Sequence, residues 1–470
     1  MWTRLKSIRS FLTGRSGKIK AMCVESFDWP LVVVFGATGV GKSKLGVRLA
    51  AKFNGEVISA DSMQIYKNLD ILTNKIKDEE ACGIPHHLMN LLEPWEEYKV
   101  GDFKSDALEV ISKIVSKGKI PIVVGGTNYY IEALLWNVLI EREVLNSEVE
   151  TARANVGVNL EEESLLLIPT NEAFALLERV DPISAGTLHP NNRRKILRAL
   201  QVLWQTGRCL SSVHEEQHSH PGGSSLGGPL RFPNAIMFWL HADQNVLDDR
   251  IVERTGQMLS EGLVEELQKF HDGFTNEMLR TGKKLDYTRG IYQSIGLRNF
   301  HEFLMIPKEN RGSNNSQLLY ARAVEDLKIS TKRYARKQKK WILNRFLRNP
   351  ERQAMRLFGL DASNLDLWDV NVERRASDIL SMALKSEPIP YPVLKIEDIA
   401  SGSEKTRLER VPTKTKRVCV ECDRVFVGDV AWTAHMKSRK HMKTANKRKR
   451  KAESQIDAEV TDKRVSVTIS

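Results

Sequence analysis

LVVVFGATGVGKS, Leu31 to Ser43, decides the fold of this 470-residue chain. Its apolar run predicts a buried parallel strand, and Gly36 opens a G-x-x-x-x-G-K-S phosphate loop, Gly36-Ala37-Thr38-Gly39-Val40-Gly41-Lys42-Ser43. Three glycines let consecutive N–H groups turn inward around an anion. Lys42 adds a point charge, and Ser43 a hydroxyl of the kind that holds Mg²⁺. A helix expected from Lys42 to about Phe53 points its positive N-terminus at the same spot. Strand, loop and helix in this order imply a di- or triphosphate site in an α/β, P-loop NTPase-like parallel sheet.

Working outward, EVISADSMQIY predicts a second strand at Val57 and Ile58, which puts Asp61 at its C-terminal end. Ligands of open α/β sheets bind there, so Asp61 reads as a helix cap or as a charged catalytic group. KIPIVVGGTNYY predicts a further strand, running into Gly125, Gly126 and Thr127. The acid that commonly ends such a strand to hold Mg²⁺ is missing, which argues against nucleotide hydrolysis.

These stretches, with PHHLM (Pro85 to Met89), resemble the tRNA dimethylallyltransferases, or tRNA isopentenyltransferases. The resemblance continues through Asp181 to Gly207, Arg250 to Leu267, Tyr287 to Leu304 and Tyr334 to Ile342, covering about residues 30–350. It implies that the loop holds the pyrophosphate of dimethylallyl diphosphate through Thr38, Lys42 and Ser43, with Arg254 gripping the same group. It implies that Asp61 is the general base beside the N6 amine of the adenosine 3′-adjacent to the anticodon. Asp61, Ser62, Met63 and Gln64 match the family's tRNA-contacting stretch, and Thr127 matches a contact to the flipped-out base. Ala37 and Gly39 stand where bacterial members often carry Pro or Ser. A related class, the adenylate isopentenyltransferases, acts on free AMP, ADP or ATP and needs no helical insertion, basic helix or finger. A P-loop kinase or ATPase acting with RNA is a further alternative, and a pure finger protein leaves the first 350 residues unexplained.

Residues 138–210 are expected to form a helical insertion. NNRRKILRALQVL puts Ile196, Leu200 and Leu203 on a core face, while Arg194 and Arg198 project together elsewhere. That basic face is either solvated or, as the resemblance implies for Arg193, Arg194 and Arg198, tRNA-binding. A Pro/Gly-rich flexible loop is expected over 211–233, and a returning strand at Ala235 to Leu240. The second part of the core runs to about residue 350, helical from Asp243. Between Thr331 and Asn349 stand eight Lys/Arg and no acid, with Tyr334, Trp341 and Phe346 interleaved. The exposed cations suit RNA phosphates, and packing is the expected role of Trp341 and Phe346. A linker is expected over 351–410.

RVCVECDRVFVGDVAWTAHMKSRKH then spaces Cys419-x₂-Cys422-x₁₂-His435-x₅-His441, a closed tetrahedral Zn²⁺ site with Phe426 and Trp432 as its small core. The long His–His gap resembles RNA-associated fingers more than tandem DNA readers. KRKRK (Lys447 to Lys451) suits a nuclear signal or a nucleic-acid patch, the finger and its basic tail spanning 411–451, and 452–470 is expected to be disordered.

Charge follows the same plan. Residues 1–24 carry six Lys/Arg and no acid, and 401–451 carry sixteen against five acids, so a near-neutral body has basic ends. Trp2, Leu5, Ile8 and Leu12 share one helical face of the N-terminal segment, as in a mitochondrial or plastid transit peptide, although a solvated basic extension fits equally. Met22 offers a second start. Five scattered or closely paired cysteines are not a secreted disulfide framework, and no apolar run spans a membrane. A monomeric, cytoplasmic enzyme is expected, with mitochondrial, plastid or nuclear pools.

Overall fold

The computed structural model describes residues 30–138, 167–348, 355–395 and 415–448, with Arg352, Asp398 and Arg450, apart from gaps at 222, 225–226, 276–277, 279, 281 and 283–285. The N-terminal basic segment, residues 139–166 of the insertion, most of 396–414 and the last twenty residues lie outside the described residues.

The chain runs β1 (Val32–Gly36), α1 (Lys42–Phe53), β2 (Gly55–Ser59), β3 (His86–His87), α2 (Val100–Ser116), β4 (Ile120–Gly125) and α3 (Asn128–Leu135). The insertion follows with α4 (Thr170–Val180), α5 (Arg193–Thr206) and α6 (Leu210–Ser219). The core resumes with β5 (Ile236–His241), α7 (Gln244–Ser260), the 29-residue α8 (Asn314–Ile342), β6 (Arg356–Asp361) and α9 (Arg375–Leu384). The finger closes it with β7 (Lys416–Cys419), β8 (Arg424–Val427) and α10 (Asp429–Met436).

Six strands form one parallel sheet in the order β3-β2-β4-β1-β5-β6. β1 is central and buried on both faces, as an all-apolar run requires. Val32 and Val34 face Leu45 and Leu49 of α1, whereas Val33 and Phe35 face Phe103 and Ile111 of α2 and Phe346 beyond α8. Alternation at period 2 thus divides the core into two layers. Phe346 is buried edge-on to Phe35 at 5.3 Å, and Trp341 is edge-on to Phe346 at 5.2 Å. The insertion has its own small core, in which Phe174 and Leu177 of α4 meet Ile196 and Leu200 of α5.

Two expectations need correction. The flexible loop over 211–233 begins late, because residues up to Ser219 continue α6, with Val213 buried and the Ser211 N–H donating to the Asp181 carboxylate. The linker over 351–410 contains β6, paired in register with all six residues of β5, and α9, whose Ile379 and Leu380 are fully buried. RLFGLD is short and carries a mid-strand Gly, so only its pairing with β5 makes it a strand. Among the described residues no helix is long and apolar enough to cross a membrane.

Candidate active site

Ser59 ends β2, and two residues later Asp61 turns back on itself, its Oδ1 accepting the Met63 N–H at 2.9 Å. This Asx turn aims the carboxylate into the space above the phosphate loop, where the charges of Lys42 and Arg254 reach it. Burial dominates over those favourable contacts and pushes the Asp61 carboxyl above its ordinary range. Burial likewise lowers Lys42 to about 8, opposed by Asp61 and assisted by Arg254. A carboxylate made more basic beside a cation made less so suits proton abstraction next to an anion site.

The loop itself is braced. Lys42 Nζ donates to the Ala37 carbonyl at 2.8 Å, and Arg254 Nη2, from the middle of α7, donates to Thr38 Oγ1 at 2.9 Å. Thr38 therefore keeps its own O–H proton for a further acceptor. Its backbone N–H is taken, donating at 2.9 Å to Gln338 Oε1 on α8.

On the other side, β4 ends at Gly125, where a Cβ would stand 2.1 Å from the Ala60 carbonyl oxygen, so only glycine allows the two strand ends to meet. Thr127 consequently lies against the Asp61 loop. Its N–H donates to Ala60 O at 3.1 Å, and its Oγ1 accepts the Ser62 N–H at 3.0 Å. Gln64 is occupied within that loop, its Oε1 accepting from Ser59 Oγ and its Nε2 donating to the Thr73 and Asn74 carbonyls. Met63 packs partly buried beside Tyr66 and Ile65.

Gln338 was not singled out by the sequence. Its Nε2 donates to Gly126 O at 2.8 Å, and its own carbonyl accepts from Asn128 Nδ2 at 3.3 Å, so one buried side chain joins the phosphate loop to the Thr127 loop. Tyr334, one turn earlier on α8, turns its hydroxyl toward Gln338 and Thr127, and burial with the Asp61 charge holds that hydroxyl far above its ordinary range. The four-residue spacing in YARKQ was the available signal.

Away from this centre, Arg193 donates to the Ile168 carbonyl and Thr170 Oγ1, pinning the start of α4. Arg194 and Arg198, with Lys195, stand exposed on α5. In the finger, ligand atoms of Cys419, Cys422, His435 and His441 lie within 4.8 Å of one another. His435 Nε2 is buried with no hydrogen-bond partner, and Phe426 stacks on its ring at 4.1 Å. Two thiols, two imidazoles and an orphaned ring nitrogen fit a tetrahedral Zn²⁺. The finger rests on the insertion: His189 Nε2 bonds the Val425 carbonyl at 3.1 Å, and Lys416 reaches Glu178 at 3.3 Å and the Phe174 ring at 4.7 Å. Arg448 of the basic tail folds back to the Val420 carbonyl at 2.6 Å.

Comparison with known proteins gives concordant results. The model of the IPP transferase family matches residues 64–345, and that of a zinc-finger double-stranded RNA-binding family matches 416–441. A tRNA dimethylallyltransferase of Mus musculus is 42% identical over 90% of this chain and 87% of its own length. That of Saccharomyces cerevisiae is 30% identical, over 90% and 94%. A crystallised eukaryotic dimethylallyltransferase acting on tRNA superposes with a TM-score of 0.73 at 28% identity, covering 91% of this chain and 99% of that one.

Proposed function

The chain belongs to the IPP transferase family, and from that premise we infer that it moves a dimethylallyl group from dimethylallyl diphosphate to N6 of the tRNA adenosine 3′-adjacent to the anticodon. The observation that carries this reading is one space bounded by Asp61 and Thr127 on one side and by Thr38, Lys42 and Arg254 on the other.

An adenine amine is a poor nucleophile because its lone pair is delocalised into the ring. The allylic carbon must therefore be made strongly electrophilic by stabilising the leaving group. As the N6–carbon bond forms, the carbon–oxygen bond to diphosphate breaks and its electron pair leaves with the diphosphate. Lys42, Arg254, the Thr38 hydroxyl and the free N–H groups of the loop are disposed to stabilise that charge. Asp61 takes the N6 proton, its raised basicity matching the task. Thr127 and Ser62 offer hydroxyls to an adenine that must leave the anticodon-loop stack to enter. Ser43, exposed at the mouth of the loop, would hold Mg²⁺ together with diphosphate oxygens and water, and the ion would supply further charge neutralisation. One such hydroxyl beside a diphosphate suffices for an ion that keeps most of its water shell.

Exposed Arg333, Lys337 and Lys340 on α8, with Arg194 and Arg198 on α5, suit the tRNA backbone, and the finger extends that basic surface. Transfer to a free nucleotide would need neither this basic surface nor the finger. Incubation with labelled dimethylallyl diphosphate and either tRNA or AMP tests the reading. Label is expected on tRNA, and label on AMP alone overturns it.

A further inference from the structure

The phosphate loop precedes the family match, which covers residues 64–345, and a side chain from beyond the far end of that match packs against it. Trp368 follows β6 and is 3% exposed, packed with Val40, Leu45 and Val372. Its indole Nε1 lies 3.4 Å from the position a Cβ on Gly41 would take. Gly41 has φ +91°, the left-handed conformation that lets the loop close onto α1. Lys44 Nζ stands 3.8 Å from the Trp368 ring centroid, a cation–π contact in the first turn of α1. A second tie, Arg48 Nε to Glu373 Oε2 at 3.7 Å, joins α1 to the same segment. The loop is thus gripped at Thr38 by Gln338 and at Gly41 to Lys44 by Trp368.

We propose that Trp368 is a positioning residue for the donor: it touches no substrate and sets the shape in which the loop meets the diphosphate. The proposal rests on the reading of the loop as the diphosphate site. N–H groups bind an anion well only when they already converge, and the glycine that permits the turn has no side chain to hold it there. A flat, buried ring against Gly41, with Lys44 laid over its face, supplies the missing wall. It also gives β6 and the segment after it a place in the donor site.

The test is calorimetric titration of inorganic pyrophosphate, and separately of tRNA, into the wild type, Trp368→Ala, Trp368→Phe and Lys42→Ala, with steady-state kinetics alongside. Trp368→Ala is expected to weaken pyrophosphate by about 10-fold or more and to raise the donor KM correspondingly. Its tRNA affinity should be unchanged, and Trp368→Phe, which keeps a flat ring against Gly41, should recover most of the loss. Should Trp368→Ala not fold, Trp368→Leu keeps apolar volume, removes the ring face and carries the same expectation. Variants at Trp368 that bind pyrophosphate as the wild type does, or that lose pyrophosphate and tRNA together, overturn the proposal. Lys42→Ala separates the two ideas: if it alone loses pyrophosphate, the loop reading stands and the role of Trp368 falls. If the wild type itself binds no pyrophosphate, the loop reading falls and takes the proposal with it.

Discussion

Asp61 is where a residue's surroundings decide its chemistry. A capping aspartate and a catalytic one look alike in ISADSMQ, and the side chain does accept a local N–H, that of Met63. What distinguishes it is burial beside Lys42 and Arg254, which raises its basicity against the pull of two cations. Asp61→Asn keeps the shape and the local acceptor while removing the base. Single-turnover prenyl transfer should slow by about 10²–10⁴-fold, with donor affinity held or slightly improved. A loss under about threefold in folded protein excludes Asp61 as the base. The pH profile follows from the same pair. Proton abstraction needs ionised Asp61, so kcat/KM should fall on acidification through an apparent pKa above the ordinary aspartate value of 3.8. Donor capture needs protonated Lys42, so kcat/KM for the donor should also fall as pH rises past about 8. Asp61→Asn should erase the acid limb and, because Asp61 opposes the lowering of Lys42, move the basic limb to lower pH, which a profile in non-coordinating buffers would show.

At the scale of elements, α8 connects most of the site. Its C-terminal turns present Tyr334 and Gln338 to the phosphate loop and the Thr127 loop, and the chain just beyond its end is locked to α3 by a buried ion cluster. Glu132 is fully buried between Arg345 at 2.7 Å and Arg352 at 2.7 Å, and the Arg352 guanidinium lies 4.2 Å from the Trp136 ring. Removing the charge from such a cluster strands the cations in a low-dielectric interior. Glu132→Gln should therefore lower stability by about 3–5 kcal/mol, read as a fall in the denaturation midpoint at unchanged slope. Because Thr127 immediately precedes α3, transfer to tRNA in the folded fraction should weaken as well. Helices and central strands were legible because long periodic runs report their own burial. β6 was not: three apolar residues around a glycine look like any linker until β5 offers its edge. All of α6 beyond its first residue escaped for a similar reason, since Val213 is its one buried side chain and gives no period to read.

At the scale of the molecule, the proposed function assigns donor chemistry to the sheet and RNA to the insertion and the finger. Contacts through His189, Lys416 and Phe174 seat the finger on the insertion, the same unit whose α5 carries the exposed Arg194 and Arg198. Removing residues 411–451 should raise the tRNA KM more than it lowers kcat, because the lost contacts are to phosphates. The salt dependence of tRNA binding should flatten by roughly 0.7–0.9 in log–log slope for each phosphate contact removed. An unchanged slope and KM would assign the finger to another partner.

The phosphate loop, the strand that leads into it, Asp61 at a strand end and the four zinc ligands were all determined by the sequence. Each is a local pattern whose spacing already encodes its geometry: a glycine run for an anion, a two-residue knuckle and a helical pair for a metal. Tertiary structure alone decided that Gln338, 300 residues from Thr38, takes the loop's N–H, that β6 closes the sheet and that Trp368 walls Gly41. Those contacts join segments far apart in the chain. A polar residue inside a basic helix, or a lone Trp after a short apolar run, carries no mark of its partner until folding brings the two surfaces together.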